Sequence, residues 1–506
     1  MVSSQQLAEQ LSGEAPRSLA SKAAAGVVWT TIQSLVVRLS GFLVFLVLAR
    51  LLAPNEFGLL AAAQVFVALA RSLADAGLTR TLVQRPQLRA AHLDSALLVS
   101  GGLGLVLSVL LVAAAPVISD LYHMPELRLV LMVLAVVPVL TAVSSVPESI
   151  LRRQLRFRSV AMRSMSSVVV SGVLGAGLAL AGAGVWALVA QMVSQVVIAL
   201  VVLWAYVGWM PSRHWELEAV KELMTFGSHV LGISVLSFIN RRTGEFIIGV
   251  VLGPVALGLF SVAMKILTVM LDLLVANVSK VALPVFSRLA DQPARLSEAY
   301  LRATRVTTFV AFPGFTLLAL FGNQLSVVVF GHQWAAAGPL MSVLAFVGPA
   351  QSIALFNNSM MLATGHSGLA LRWTMTTAAL NVAGFILSAR FGILVVVIVY
   401  ATVVCLRLPV GLYLTRRVSA IRLSDQVGTL AVPFAGCISM LVVVTGLHLA
   451  TSLSPTAVLV VGVPLASVAY LAVTLQFRRD VVSEATALIR SRRTPQAASS
   501  TGSPTT

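Results

Sequence analysis

The chain has 506 residues, 58% of them apolar and 10% charged, and a mean hydropathy of +0.94. Soluble domains do not keep that balance; long apolar runs repeated along a chain mark a polytopic membrane protein. The net charge of +17 would suggest nucleic acid in a soluble protein, but here the cations lie mainly in short loops, where the positive-inside rule accounts for them with no nucleic-acid partner.

The first stretch, residues 1–24, is polar and has no apolar h-region, so it reads as a cytoplasmic tail rather than a cleavable signal. A span needs about 20 apolar residues. By that measure fourteen helices follow, at 25–49, 57–79, 93–116, 129–148, 162–182, 185–207, 226–250, 255–279, 305–323, 338–362, 369–389, 391–414, 428–449 and 454–476. With the N-terminus inside, 26 of the 35 Lys and Arg fall in cytoplasmic segments and only Arg50, Arg128 and Arg390 fall outside. That bias predicts an even number of spans with both termini cytoplasmic. The tail 477–506 is basic and then rich in Ser, Thr and Pro, a composition expected to be partly disordered.

The chain also restarts. LGPVALGLF, ending at Phe260, echoes LAPNEFGLL, ending at Leu60; Pro254 and Gly258 fall 200 positions after Pro54 and Gly58. The expected organisation is an all-α membrane protein of two parallel six-helix lobes, 25–207 and 226–414. A linker at 208–225 joins them and two further helices at 428–476 follow. Parallel repeats with a substrate site between them are a common transporter plan. The last pair carries no Asp, Glu, Lys or Arg and reads as lipid-facing. Cys405 and Cys437 lie in apolar runs and read as small buried hydrophobes.

Catalytic signatures do not appear. There is no P-loop, no His-Glu-x-x-His and no Cys-x-x-Cys, so neither ATP hydrolysis nor a metal or cofactor site is expected, and the chain does not read as an enzyme. The positive signal is charge at membrane depth, costly by about 2.5–3.5 kcal/mol per residue on insertion scales and usually functional. Arg38, with Gln33 near it, lies in the first helix. Arg71 and Asp75 lie in the second, at the i,i+4 spacing that allows mutual neutralisation. Arg241, Arg242 and Glu245 lie on the seventh with Asn240 beside them. There Arg241 and Glu245 share the i,i+4 spacing, which leaves Arg242 the freer charge. Lys265 and Asp272 lie on the eighth, and Arg407, near the inner end of the twelfth, is expected to snorkel. Cations in a watery vestibule attract an anion, and Arg suits phosphate through its planar fork. Arg38, Arg242 and Lys265, with Arg241, Arg71, Gln33 and Asn240, are therefore the candidate substrate-binding residues, with Gln64 a further polar lining group. Asp75, Glu245 and Asp272 are candidates for ion coupling, or simply counter-ions.

The run from Leu51 through Gly104 resembles the second and third helices of bacterial polysaccharide flippases. The residues that carry the likeness are Pro54, Glu56, Phe57, Gly58, Asp75, Gly77, Leu78, Val83, Gln84, Arg85 and Asp94. Leu151–Ser164, the GVWALVAQ starting at Gly184 and the FGHQW starting at Phe330 extend it over most of residues 20–480. The chain thus resembles the Wzx-type polysaccharide transporter branch of the MOP superfamily, the colanic-acid and teichuronic-acid exporter group, which is related to lipid II flippases and MATE exporters. That resemblance implies fourteen helices around a central cavity in the bacterial plasma membrane. It implies alternating access that moves an undecaprenyl-pyrophosphate-linked oligosaccharide to the outer leaflet. It also makes the polymerase and glycosyltransferases of the same pathway candidate partners. The rival reading is a MATE-like cation-coupled antiporter of small molecules, which predicts an acidic cavity. A membrane enzyme predicts a large outer loop, and a scaffold does not explain charges at depth.

Overall fold

The computed structural model describes residues 16–75, 82, 89–211, 216–419, 421–450 and 454–477. Within them the chain is helical. The first half comprises α1 (Pro16–Leu51), α2 (Pro54–Asp75), α3 (Ala90–Tyr122), α4 (Pro125–Leu134), α5 (Val136–Arg153), α6 (Phe157–Leu180) and α7 (Val185–Val207). There follow α8 (Leu217–Leu274), α9 (Ala276–Arg288), α10 (Pro293–Leu325), α11 (Ala337–Leu344), α12 (Val347–Ala363), α13 (Ser367–Ser388), α14 (Ile393–Val418), α15 (Leu423–Ala450) and α16 (Pro455–Phe477).

Among the described residues, twelve stretches are long and apolar enough to cross a membrane. Two local features relate them to the fourteen expected spans. First, α8 contains the seventh and eighth together, broken at Gly253, whose backbone (φ 80°, ψ −176°) suits glycine alone. Pro254 follows, its fixed φ suited to the first turn of a new helix. Second, the eleventh span coincides with α13, whose Arg372, Thr374, Thr376, Thr377 and Asn381 dilute its apolar character. The fourth and tenth spans are each bent into two helices, α4 with α5 and α11 with α12.

The exposed surface explains the solvent. On α1, Val28, Ile32, Leu35, Leu39, Leu43 and Val47 are all exposed, three or four residues apart. Such a stripe is one helix face, stable when the surrounding medium is lipid. The protein is a multi-pass membrane protein.

Two compact units divide the chain. One is Met1–Val262 with Val329–Trp334 and Phe385–Ile393; the other is Ala263–Val328, Ala335–Gly384 and Leu394–Thr506. The first unit thus takes in residues 226–262, which the sequence reading assigned to the second lobe. Its apolar core is built on Leu93, Val146, Ile150, Val160, Leu203 and Trp209. The start of α8 is tied to the start of α3: Glu222 meets the buried His92 at 3.3 Å and Arg89 at 3.7 Å, and the Glu216 amide donates to Ser95 Oγ at 3.2 Å. In the second unit, Phe286, Tyr300, Phe356 and Met360 form one cluster, and Phe321, Met440, Val444 and Tyr470 form another that joins α15 and α16 to α10.

Candidate functional site

In the first unit the candidate residues sit on α1, α2 and α8. Arg38 and Gln33 are half-buried on α1, and the Gln33 side-chain amide donates to Ser164 Oγ on α6 at 2.9 Å. Gln64 on α2 is half-buried and reaches Met192 Sδ on α7 at 4.0 Å. Arg71 is exposed on α2. The side chain of Asp75, and with it the expected Arg71–Asp75 pair, lies outside the described residues, as does the side chain of Asn240.

The ion pair on α8 differs from the expected one. Arg242, not Arg241, donates to Glu245. Both i,i+3 and i,i+4 neighbours lie within reach on a helix, so spacing alone did not choose between them. Burial does. Arg242 and Glu245 share a half-buried face with side chains 31% and 17% exposed, whereas Arg241 is exposed. Taking a carboxylate out of water favours the partner that follows it inward.

What holds this part of α8 was not visible in the sequence. Phe246, next to Glu245, packs edge-on against Phe66 of α2 and Tyr122 of α3, with ring centroids 6.3 and 5.8 Å apart. Phe66 and Tyr122 complete the triangle at 5.9 Å. These edge-to-face arrangements suit the ring quadrupoles. Tyr122 is fully buried against Gly249, where a Cβ would lie 2.5 Å from its ring. On another face, Gly244 leaves room for the ring of Phe385. The one sequence signal was the pair of glycines, Gly244 and Gly249, flanking the acid on an otherwise bulky helix. Tight aromatic packing on both sides fixes the helix face that carries Arg242 and Glu245.

In the second unit, Lys265 is exposed and Asp272 half-buried, both on α8. Arg407 finds a partner on a neighbouring helix. It is half-buried, and its guanidinium donates to the Thr377 carbonyl of α13 at 3.2 Å. A backbone carbonyl on a neighbouring helix is a nearer partner than the interface for a guanidinium already among helices.

The family model described as polysaccharide biosynthesis protein matches residues 47–339. The chain belongs to that family. A polysaccharide biosynthesis protein of this kind has relatives of similar length. The teichuronic acid biosynthesis protein TuaB of Bacillus subtilis (strain 168) is 26% identical over 86% of this chain and 90% of its own. The lipopolysaccharide biosynthesis protein WzxC of Escherichia coli (strain K12) is 23% identical over 74% of this chain and 76% of its own. Among solved structures, the lipid II flippase MurJ in an inward closed conformation matches with a TM-score of 0.72 at 14% identity, over 90% of this chain and all of its own. An inward-facing MATE family multidrug transporter of the MOP superfamily matches at 0.60 and 17% identity, over 78% of this chain and 98% of its own. At those identities the likeness is one of fold. It is the fold that the sequence motifs implied.

Proposed function

We propose that this protein carries lipid-linked oligosaccharide repeat units across the bacterial plasma membrane for cell-surface polysaccharide synthesis, as a flippase and not as an enzyme. The observation that carries the reading is a family of polysaccharide biosynthesis proteins whose member here holds arginines and a lysine at membrane depth, at Arg38, Arg71, Arg241, Arg242 and Lys265. The anionic end of an undecaprenyl-pyrophosphate carrier supplies the charge those residues would bind. Arg can grip a phosphate through two parallel N–H donors, which a point charge cannot do.

In this reading Arg38, Arg242 and Lys265 receive the pyrophosphate, with Arg241 and Arg71 contributing to the field. Gln33, Gln64 and Asn240 offer hydrogen bonds to sugar hydroxyls. The bond from Gln33 to Ser164 shows one such group already committed to a neighbour, so sugar would compete for it. The ion pair between Arg242 and Glu245 gives that arginine a counter-ion at rest, and phosphate would replace the carboxylate as its partner. Glu245 so released, with Asp75 and Asp272, is then available to a driving proton or cation. Both termini are cytoplasmic in this reading, as the loop charges require. Lobes at 25–207 and 226–414 rock to expose the site to each side in turn. The enzymes that build and polymerise the repeat unit would work beside the protein.

The fold shared with a MATE transporter keeps one rival reading, a cation-coupled antiporter of small cationic molecules. Reconstituted protein separates the two. Proteoliposomes would hold a fluorescent undecaprenyl-pyrophosphate oligosaccharide, with outer-leaflet accessibility as the readout. The flippase reading predicts protein-dependent appearance of the probe in the far leaflet. No movement of that probe, with extrusion of a cationic dye instead, would replace it with the antiporter.

A further inference from the structure

Val329–Trp334 follows α10 in sequence, yet it clusters with the first unit and not with the helices on either side of it. A π-helical turn, Ser326–Phe330, leads into it, and Gly331 at φ 104° turns the backbone into the short 3-10 turn His332–Trp334. Single π turns of this kind are rare and often mark functional positions.

This segment ends against the C-terminal turn of α1. The last carbonyls of any helix lack intrahelical partners and take them from elsewhere. Here the partners come from about 280 residues away. Trp334 Nε1 donates to the Ala49 carbonyl at 2.6 Å, and the Gln333 amide donates to the Arg50 carbonyl at 2.9 Å. In return Arg50 donates to the Val329 carbonyl at 3.3 Å. Apolar contact closes the joint: Phe330 stacks edge-on to Phe45 at 5.8 Å, and Trp334 meets Phe57 at 5.3 Å. Phe330 and Trp334 are both fully buried. The joint is a helix cap supplied by a distant segment.

From this geometry we infer that Val329–Trp334 is a releasable strap that positions α1, and that its release is a step of transport. The inference rests on the transporter reading, because α1 carries Arg38 and Gln33, and a helix pinned at its end cannot tilt to present them to the other side. Trp334 and Gln333 are positioning residues: they act on the substrate through α1. A side-chain cap suits that role. It trades three hydrogen bonds for solvation when it lets go, whereas a continuous helix would have to unwind.

The test uses the full-length protein with Cys405 and Cys437 replaced by Ala and a reporter Ala49→Cys, a position fully buried beside the strap. A membrane-impermeant thiol reagent reports how often that site opens. Losing one neutral hydrogen bond should raise the open fraction on the order of five-fold. Trp334→Phe, which keeps ring packing and loses the N–H, should therefore label about five-fold faster than the parent, and Gln333→Ala should do the same if Trp334→Phe folds poorly. Unchanged labelling in both variants overturns the strap. A second arm locks it: Arg50→Cys with Gln333→Cys, joined by a reductant-cleavable bis-maleimide. Movement of the fluorescent pyrophosphate-linked probe should stop in the locked protein and return on reduction, which excludes misfolding. Full movement through the locked protein contradicts a required release. Should the parent not move the probe at all, it is the flippase reading that fails, and the labelling arm still decides the strap.

Discussion

Gly58 sits against the backbone carbonyl of Pro254, so closely that a Cβ at Gly58 would lie 1.8 Å from its oxygen. The contact is reciprocal: a Cβ at Gly258 would lie 1.9 Å from the carbonyl oxygen of Pro54. These four residues are the two copies of one sequence motif, 200 positions apart. A contact in which i meets j and its equivalent j meets i is what a two-fold relation produces. The internal repeat is therefore also a local symmetry, with the two helix starts crossing at their glycines. Gly58→Ala and Gly258→Ala should each cost about 1–3 kcal/mol, because backbone and not a flexible side chain must give way. Gly446→Ala, with nothing near its would-be Cβ, should be close to neutral. Thermal unfolding in detergent, followed by size exclusion, checks the contrast; equal losses at all three positions would refute the crossing.

The Arg242–Glu245 pair makes a prediction about coupling. Each side chain is partly screened, so Glu245→Gln or Arg242→Gln alone should lose only about 1 kcal/mol. The double variant should recover part of that loss, since neither partner then leaves the other charged and half-buried. Simple additivity in a double-mutant cycle would mean that the pair is incidental. Arg241→Gln, on the exposed side, should leave stability unchanged.

Tyr122 tests the aromatic triangle. Tyr122→Ala removes a fully buried ring from Phe66, Phe246 and Gly249 and should cost about 3–5 kcal/mol. Tyr122→Phe should fall within about 1 kcal/mol of the parent, because the hydroxyl has no hydrogen-bond partner among the described residues. A large loss from Tyr122→Phe would show that the hydroxyl, and not the ring, holds α3 to α8.

Arg407 offers a simpler check. Its bond to the Thr377 carbonyl ties α14 to α13, so Arg407→Met should lower thermal stability by about 1–2 kcal/mol while keeping the apolar stem. A neutral result would return Arg407 to the interface, where the sequence alone had put it.

The all-helical membrane architecture was readable because apolar run length and loop charge are properties of single segments. So was the repeat, because Pro54 with Gly58 and Pro254 with Gly258 are local patterns. Contact between the two copies was not readable, since sequence offset says nothing about which surfaces meet. Partner choice was beyond reach for the same reason: Arg241 and Arg242 are both near Glu245 along the helix, and burial, a tertiary property, selected Arg242. In the sequence, FGHQW is only a family motif. Its physical meaning, a cap for a helix that ended some 280 residues earlier, needed the fold. Arg38, Arg71 and Lys265 were legible as charges inside apolar runs, which is again a property of single segments.

Flipping by cation variants is the most direct test of the central claim. Wild type, Arg38→Gln and Lys265→Gln would be reconstituted with the fluorescent undecaprenyl-pyrophosphate oligosaccharide, each variant first shown to insert and elute as the parent does. Losing one charge-assisted hydrogen bond to phosphate, at about 1.5–3 kcal/mol, corresponds to a fall of about ten-fold or more in flipping rate. That loss, with expression and thermal stability unchanged, is the predicted result. Wild-type rates in both variants would contradict a cationic site for the pyrophosphate.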